Sequence, residues 1–243
     1  MKRFVFLMSM ITILACNVVA QPWAEKPRGK VKSIDFNAFE MVEKFGSQTH
    51  MESYPFRIVS YYNETGQLIE ESWYNADGSL SFKKVYTYNA VGRLTDHTSY
   101  NPDGSLLVQY RFTYDLDGNC TEQMVFNADG SLDTNNIYSF DKSGNLISDT
   151  AYRSNGLLYS RFIYSYDDRG NRVEEICFGA DGNLYSKSFY RYDDNGNRTS
   201  SEDYNPAGEM TTKITSVYDA DGNVIEGTEY GLQGLFTEKF YIS

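Results

Sequence analysis

The sequence predicts an all-β chain: an antiparallel meander of about 14–16 strands, built from 26-residue hairpin repeats and coiled into a spiral or solenoid-like sheet. A closed up-and-down barrel is the alternative. Three observations carry the prediction. Glycines recur at a fixed period, each glycine closes the same aromatic-led phrase, and the intervals between those phrases are strand-length.

The first glycine series is Gly66, Gly92, Gly118, Gly144, Gly170, Gly196 and Gly222, spaced 26 apart. A second series, offset by 12, comprises Gly78, Gly104, Gly130, Gly156, Gly182, Gly208 and Gly234. Around the glycines the phrase reads aromatic-(Asn/Asp)-x-x-Gly-x-apolar, with an aromatic residue in all fourteen copies and an apolar residue closing all but those that end in Arg172 and Arg198. Arg153, Gly179 and Gly231 replace the Asn or Asp. In Asn101-Pro102-Asp103-Gly104 the physics is plain. Asn bonds its own backbone, Pro presets φ, and Gly takes the left-handed conformation. That is a type I turn with a glycine bulge, which closes a hairpin. Tyr88 should then face Leu94 across one hairpin, and Tyr100 should face Leu106 across the next.

Turns 12 and 14 residues apart leave strands of about seven and nine residues. Tyr88, Leu94, Tyr100, Leu106, Tyr110, Phe112 and Tyr114 are all even-numbered, so a period of two places them on one face. Thr95, His97, Ser99, Leu107, Gln109, Arg111 and Thr113 then form a wetter, largely polar second face. An aromatic face of this size is not left in water, and strands twist by roughly 20–25° each, so the sheet is expected to coil around its tyrosines. Lys83, Arg111, Arg161, Lys187 and Lys213 fall on the second face and argue against a lipid-facing barrel.

Residues 1–20 read as a signal peptide: Lys2 and Arg3, then the apolar run Phe4 to Ala15. Val18-Val19-Ala20 offers cleavage that leaves Gln21 first, whereas Ile13-Leu14-Ala15-Cys16 is a lipobox-like alternative with lipid on Cys16. Residues 21–56 form a leader and a degenerate capping repeat, because Ile34-Asp35-Phe36-Asn37 lies 26 residues before Ser60-Tyr61-Tyr62-Asn63. The seven repeats fill residues 57–243, with Phe236 to Ser243 as the last strand. No second apolar segment follows the leader, so no transmembrane span is expected. The expected location is therefore outside the cytoplasm, whether periplasmic, secreted or lipid-anchored at the envelope.

The formal charge of −11 disfavours nucleic acid as a partner. Cys120 and Cys177 occupy corresponding strands two repeats apart, about 19 Å, whereas a disulfide needs Cα atoms within about 7 Å; no bond between them is expected.

Phe112-Thr113-Tyr114-Asp115-Leu116-Asp117-Gly118-Asn119 carries a further signature, repeated in Tyr164 to Arg172 and Tyr190 to Arg198. These stretches resemble the tyrosine–aspartate (YD) repeats of Rhs proteins, in a short form without the core motif or toxin tail. The resemblance implies a β-spiral architecture and surface interaction outside the cytoplasm.

Asp115-x-Asp117-Gly118 and Asp219-x-Asp221-Gly222 have glycine too early for an EF-hand loop, and turn formation accounts for them. Neighbours such as Glu70–Glu71 and Glu174–Glu175 point to opposite faces, so they read as solvated charges rather than a hydrolytic pair. No catalytic residue, metal or cofactor is expected. Trp73, odd-numbered and beside Ile69, is the candidate surface contact on the wetter face. The expected function is a non-enzymatic binding or structural repeat module that meets a protein or glycan at the cell surface. A carbohydrate-binding module is one alternative; a shell or chaperone-like component working with a neighbouring gene product is another.

Overall fold

In a computed structural model, the structure describes residues 32–37, 40–44, 47–51 and 57–241. Its elements in chain order are β1 (Ser33–Asn37), β2 (Glu40–Lys44), β3 (Ser47–Met51), β4 (Arg57–Tyr62), β5 (Leu68–Tyr74), β6 (Leu80–Tyr88), β7 (Leu94–Tyr100), β8 (Leu106–Tyr114) and β9 (Cys120–Phe126). They continue as β10 (Leu132–Phe140), β11 (Leu146–Arg153), β12 (Leu158–Tyr166), β13 (Arg172–Phe178), β14 (Leu184–Tyr192), β15 (Arg198–Tyr204), β16 (Met210–Tyr218), β17 (Val224–Tyr230) and β18 (Phe236–Tyr241). A 3₁₀ turn, Leu232–Gly234, precedes the last strand.

Sixteen strands form one antiparallel meander in sequence order, from β1 and β4 through to β18. The order does not return on itself, so the sheet is open and the barrel alternative falls. As expected, β1 pairs with β4, Ile34 opposite Ser60. Between β1 and β4, within the stretch expected to be the degenerate capping repeat, β2 and β3 form a separate hairpin. The chain divides into two compact units, Met1–Asp133 and Thr134–Ser243.

All fourteen turn glycines have φ between 75° and 102°. The bonds of the type I turn with glycine bulge repeat throughout: Asn101 N–H donates to Ser105 O at 2.9 Å, and Gly104 N–H to Asn101 O at 3.0 Å. Turns of the first series are also tied by side chains. Asp115 Oδ1 accepts from the Gly118 and Asn119 amides, while Asn119 Nδ2 donates to Asp115 Oδ2. The same Asp–Asn pair recurs at 141/145, 167/171, 193/197 and 219/223. These bonds favour the ionised aspartate, holding the five carboxyls below their ordinary range.

Tyr88 faces Leu94, and Tyr100 faces Leu106, as the turn chemistry requires. One residue further from each turn, however, the register shifts. Thr87 pairs with Asp96 and skips Thr95; Ser99 pairs with Val108 and skips Leu107. This second bulge reverses the parity of every seven-residue strand relative to its neighbours. The expectation that even numbers share one face therefore holds within the nine-residue strands and fails across the sheet. His97 pairs with Tyr86 and Tyr110, and Ser99 with Lys84 and Val108. Aromatics of the second turn series lie on the other face, where Tyr74 pairs with Arg57, Tyr100 with Lys83, and Tyr204 with Lys187.

In the first turn series the skipped residue is always β-branched: Ile69, Thr95, Thr121, Ile147, Val173, Thr199 and Ile225. Its threonines bond the carbonyl across the hairpin, Thr95 Oγ1 to Thr87 O at 3.2 Å and Thr199 Oγ1 to Arg191 O at 3.3 Å. Tyrosines of this series form a second set of ties. The Tyr88 hydroxyl donates to Leu68 O, and the Tyr114 hydroxyl to Leu94 O, both at 2.7 Å. In the second unit Tyr166, Tyr192 and Tyr218 bond Leu146 O, Arg172 O and Arg198 O at 2.8–2.9 Å. Each rung reaches back twenty residues and contributes about 1 kcal/mol. Phe140 has no hydroxyl to donate.

Candidate functional site

Two strand faces result: the buried aromatic side chains lie on the first, whereas the buried residues of the second are mostly small or polar, such as Ser72, Thr98 and Glu202. The second face is laced by cross-strand ion pairs, including Lys83–Glu70 at 3.3 Å, Lys187–Glu174 at 2.6 Å and Lys213–Glu202 at 2.8 Å. The first face carries Phe82, Tyr86, Tyr110, Phe112, Tyr138, Phe162, Tyr164 and Tyr190 from the nine-residue strands. Between their rings, the middle of each seven-residue strand supplies one residue at a fixed repeat position. That series runs Glu71, His97, Gln123, Asp149, Glu175, Ser201, Gly227.

In the first unit the Tyr86 hydroxyl donates to Glu71 Oε2 at 2.8 Å. Burial and the adjacent carboxylate push that phenol upward. His97 stacks between Tyr86 and Tyr110, with ring centroids 4.9 and 5.4 Å away. Its Nε2 is buried without a partner. Burial first, and Lys84 second, hold the imidazole down to about 4, so it is neutral at neutral pH. Gln123 is 2% exposed and faces Phe112.

In the second unit Asp149 is 5% exposed, between Tyr138 on β10 and Phe162 on β12. Burial alone pushes its carboxyl up to about 6. Glu175, opposite Tyr164 and Ser188, is raised by burial despite Arg172 Nη1 at 3.0 Å. Asp203 accepts a 2.6 Å bond from Ser188 Oγ. The solvated reading of Glu71 and Glu175 is therefore corrected: Glu71 is 8% exposed and satisfied by a tyrosine, because the parity reversal turns it inward. Glu70 and Glu174 do point the other way and pair with lysines.

Trp73 moves for the same reason. It pairs with Ile58 and Phe82, on the aromatic face rather than the wetter one. Half-buried, it stacks on Phe82 at 5.2 Å, with Lys84 Nζ 5.4 Å above its ring. Ala20, Gln21 and Cys16, the processing candidates, lie outside the described residues. Cys177 carries a free thiol, so no bond joins it to Cys120. Among the described residues no group of three or more His, Cys, Asp or Glu is placed to hold a metal ion. No helix among them is long and apolar enough to cross a membrane.

The two edges of the sheet differ. At the first turn series, successive turns stack: Gln67 Nε2 donates to Gly92 O at 2.9 Å, and Arg93 Nη1 to Asp115 O at 3.1 Å. A Cβ placed on Gly92, Gly196 or Gly222 would lie 3.2, 3.8 or 3.6 Å from the preceding turn. At the second series, Gly78, Gly104, Gly130, Gly156, Gly182 and Gly208 have nothing within 4 Å of such an atom. The side-chain hydrogen bonds that bridge successive turns thus lie on the first edge, while on the second Met210 Cε comes within 3.4 Å of a Cβ built on Gly234. The glycine period alone does not distinguish the edges; the Asp–Asn spacing of the first series does.

A family model described only as "Uncharacterised protein" matches residues 46–127. No curated protein matches the chain. Among solved structures, TcdB2-TccC3 without its hypervariable C-terminal region is 15% identical, with a TM-score of 0.44. The match covers 77% of this chain and 12% of that one, so the chain spans only a small part of its neighbour's length. A porin-like protein from Bacteroides uniformis is 12% identical, with a TM-score of 0.42, over 88% of this chain and 96% of that one.

Proposed function

We propose that the chain is an exported, non-enzymatic binding or structural module of the YD-repeat kind, held at or released from the cell envelope. The observation that carries this reading is a division of labour within the repeat. Turn glycines, Asp–Asn ties and tyrosine rungs recur in nearly every unit and are consumed in holding strands together. The residues between the rings change from repeat to repeat, from Glu71 through His97 to Asp149. A scaffold that is constant and a face that varies suit recognition better than a single reaction centre. The Tyr–Asp turn signature and the apolar leader support the placement outside the cytoplasm.

Fractionation of the native host, with mass spectrometry of the N-terminus, tests the export half. The expected mature chain starts at Gln21 or at a lipidated Cys16. A cytoplasmic chain retaining Met1 or Lys2 overturns the reading. For the glycan alternative, Trp73 in a Trp23→Phe background is a reporter, since the ring is half-buried beside Phe82. Quenching or a blue shift across a glycan panel supports that alternative, and an unchanged spectrum removes it.

A further inference from the structure

Within the second unit, a cleft of about 630 Å³ opens between two stacked turns of the first series, Asp141 to Asn145 and Asp167 to Gly170. Its origin lies in the repeat itself. At three other steps along this edge a long nitrogen-bearing side chain bridges the gap to the next turn. Gln67 and Arg93 do so in the first unit. In the second unit Arg169 reaches across, Nη1 to Asp194 O and Nη2 to Asp194 Oδ1, both at 3.1 Å.

One repeat earlier, the residue equivalent to Arg169 is Ser143, and the residue equivalent to Asp194 is Asp168. Ser143 is too short to cross, and Asn145 is turned back onto Asp141 Oδ2 at 2.9 Å. Both Ser143 and Asp168 line the cleft. The turn aspartates Asp141 and Asp167 are occupied by Asn145 and Asn171. No side chain among the described residues bonds the Asp168 carboxylate. The cleft is therefore the volume that an arginine fills one repeat later, with the same carbonyl and carboxylate left facing it. Tyr166 and Ile147 supply a lining for an aliphatic stem.

We infer that this cleft binds a guanidinium group supplied from outside the chain, from a small guanidino compound or from an arginine side chain of a polypeptide. The planar fork matches an adjacent carbonyl and carboxylate as Arg169 already does. The contact is solvent-exposed, so a single group binds in the millimolar range and is weakened by salt. This site stands independently of where the chain resides.

The test is an amide NMR titration of the whole protein with ethylguanidine and, separately, with a blocked Gly-Arg-Gly peptide. Saturable shifts at Asp168 and Gly170, absent with ethanol, are expected. Tighter binding of the peptide identifies a polypeptide source, and equal or tighter binding of ethylguanidine identifies a small compound. In Ser143→Arg the chain fills its own cleft, so affinity falls at least about tenfold while the fold is retained, as Arg169 occupies the same turn position. Asp168→Asn lowers affinity without filling the space, and Ser143→Ala leaves it unchanged. Absence of saturable shifts with both probes, or binding that survives Ser143→Arg in a folded protein, overturns the inference.

Discussion

Asp149 should make the second unit more stable in acid than at neutral pH, against the common trend for carboxylates. The group is 5% exposed and faces Tyr138 and Phe162; its nearest charged neighbours on that face are Glu175 and Arg172, two strands away. Burial raises its folded value to about 6 from 3.8. A carboxyl raised on folding contributes stability that is complete below about 3.8 and lost as pH rises through about 6. At about 1.4 kcal/mol per unit, the loss by pH 7.5 approaches 3 kcal/mol. Asp149→Asn removes that loss but buries an amide N–H pair with no ready acceptor, costing about 1 kcal/mol of the gain. The expected outcome is a variant roughly 2 kcal/mol more stable than the parent at pH 7.5 and no more stable at pH 4. Urea titrations at both values, with hydrogen exchange followed in β11 and β12, measure it. Equal effects of the substitution at pH 4 and pH 7.5 would refute the argument, because they would mean the carboxyl does not titrate between those limits.

Four further outcomes follow from the same geometry. His97 should act in the opposite sense: its value falls to about 4 on folding, so its stability contribution is present above about 6.5 and lost as pH drops through 4. Urea midpoints, followed by Trp73 fluorescence in a Trp23→Phe background, should fall with pH below 6 more in the parent than in His97→Gln. Tyr166→Phe should cost about 1 kcal/mol by losing its bond to Leu146 O, with the fold intact, since Phe140 already fills an equivalent position. Both Gly104→Ala and Gly118→Ala incur left-handed strain of about 1 kcal/mol. In Gly118→Ala the new methyl also meets the Arg93 guanidinium, so urea midpoints should fall further than for Gly104→Ala, whose methyl meets nothing. Finally, burial and then Glu175 push the Cys177 thiol up to about 11 from 9.0, so alkylation at pH 8 should be about a hundredfold slower in the native than in the urea-unfolded protein.

What was legible in the sequence was everything that a turn imposes locally. The fourteen positive-φ glycines, the strand lengths and the pairs Tyr88–Leu94 and Tyr100–Leu106 all follow from four-residue chemistry, and the structure has them. The face of each strand did not follow, because parity is a running count that one inserted residue inverts. The turn itself contains one bulge, already implied by its glycine. A second bulge at Thr95 or Leu107 has no glycine to mark it, and it moved His97, Glu71 and Trp73 across the sheet. A signal for it was nevertheless present. Position 95 and its repeats hold only Ile, Thr or Val, even though the pattern of alternation would have made them ordinary solvent-facing sites. A β-branched residue is stiff at χ1, and a threonine there can bond the carbonyl across the hairpin, as Thr95 does with Thr87. The constraint thus came from backbone geometry rather than from packing. A period-two count assumes an unbroken ladder, and in a hairpin repeat that assumption must be tested at every position that refuses to vary.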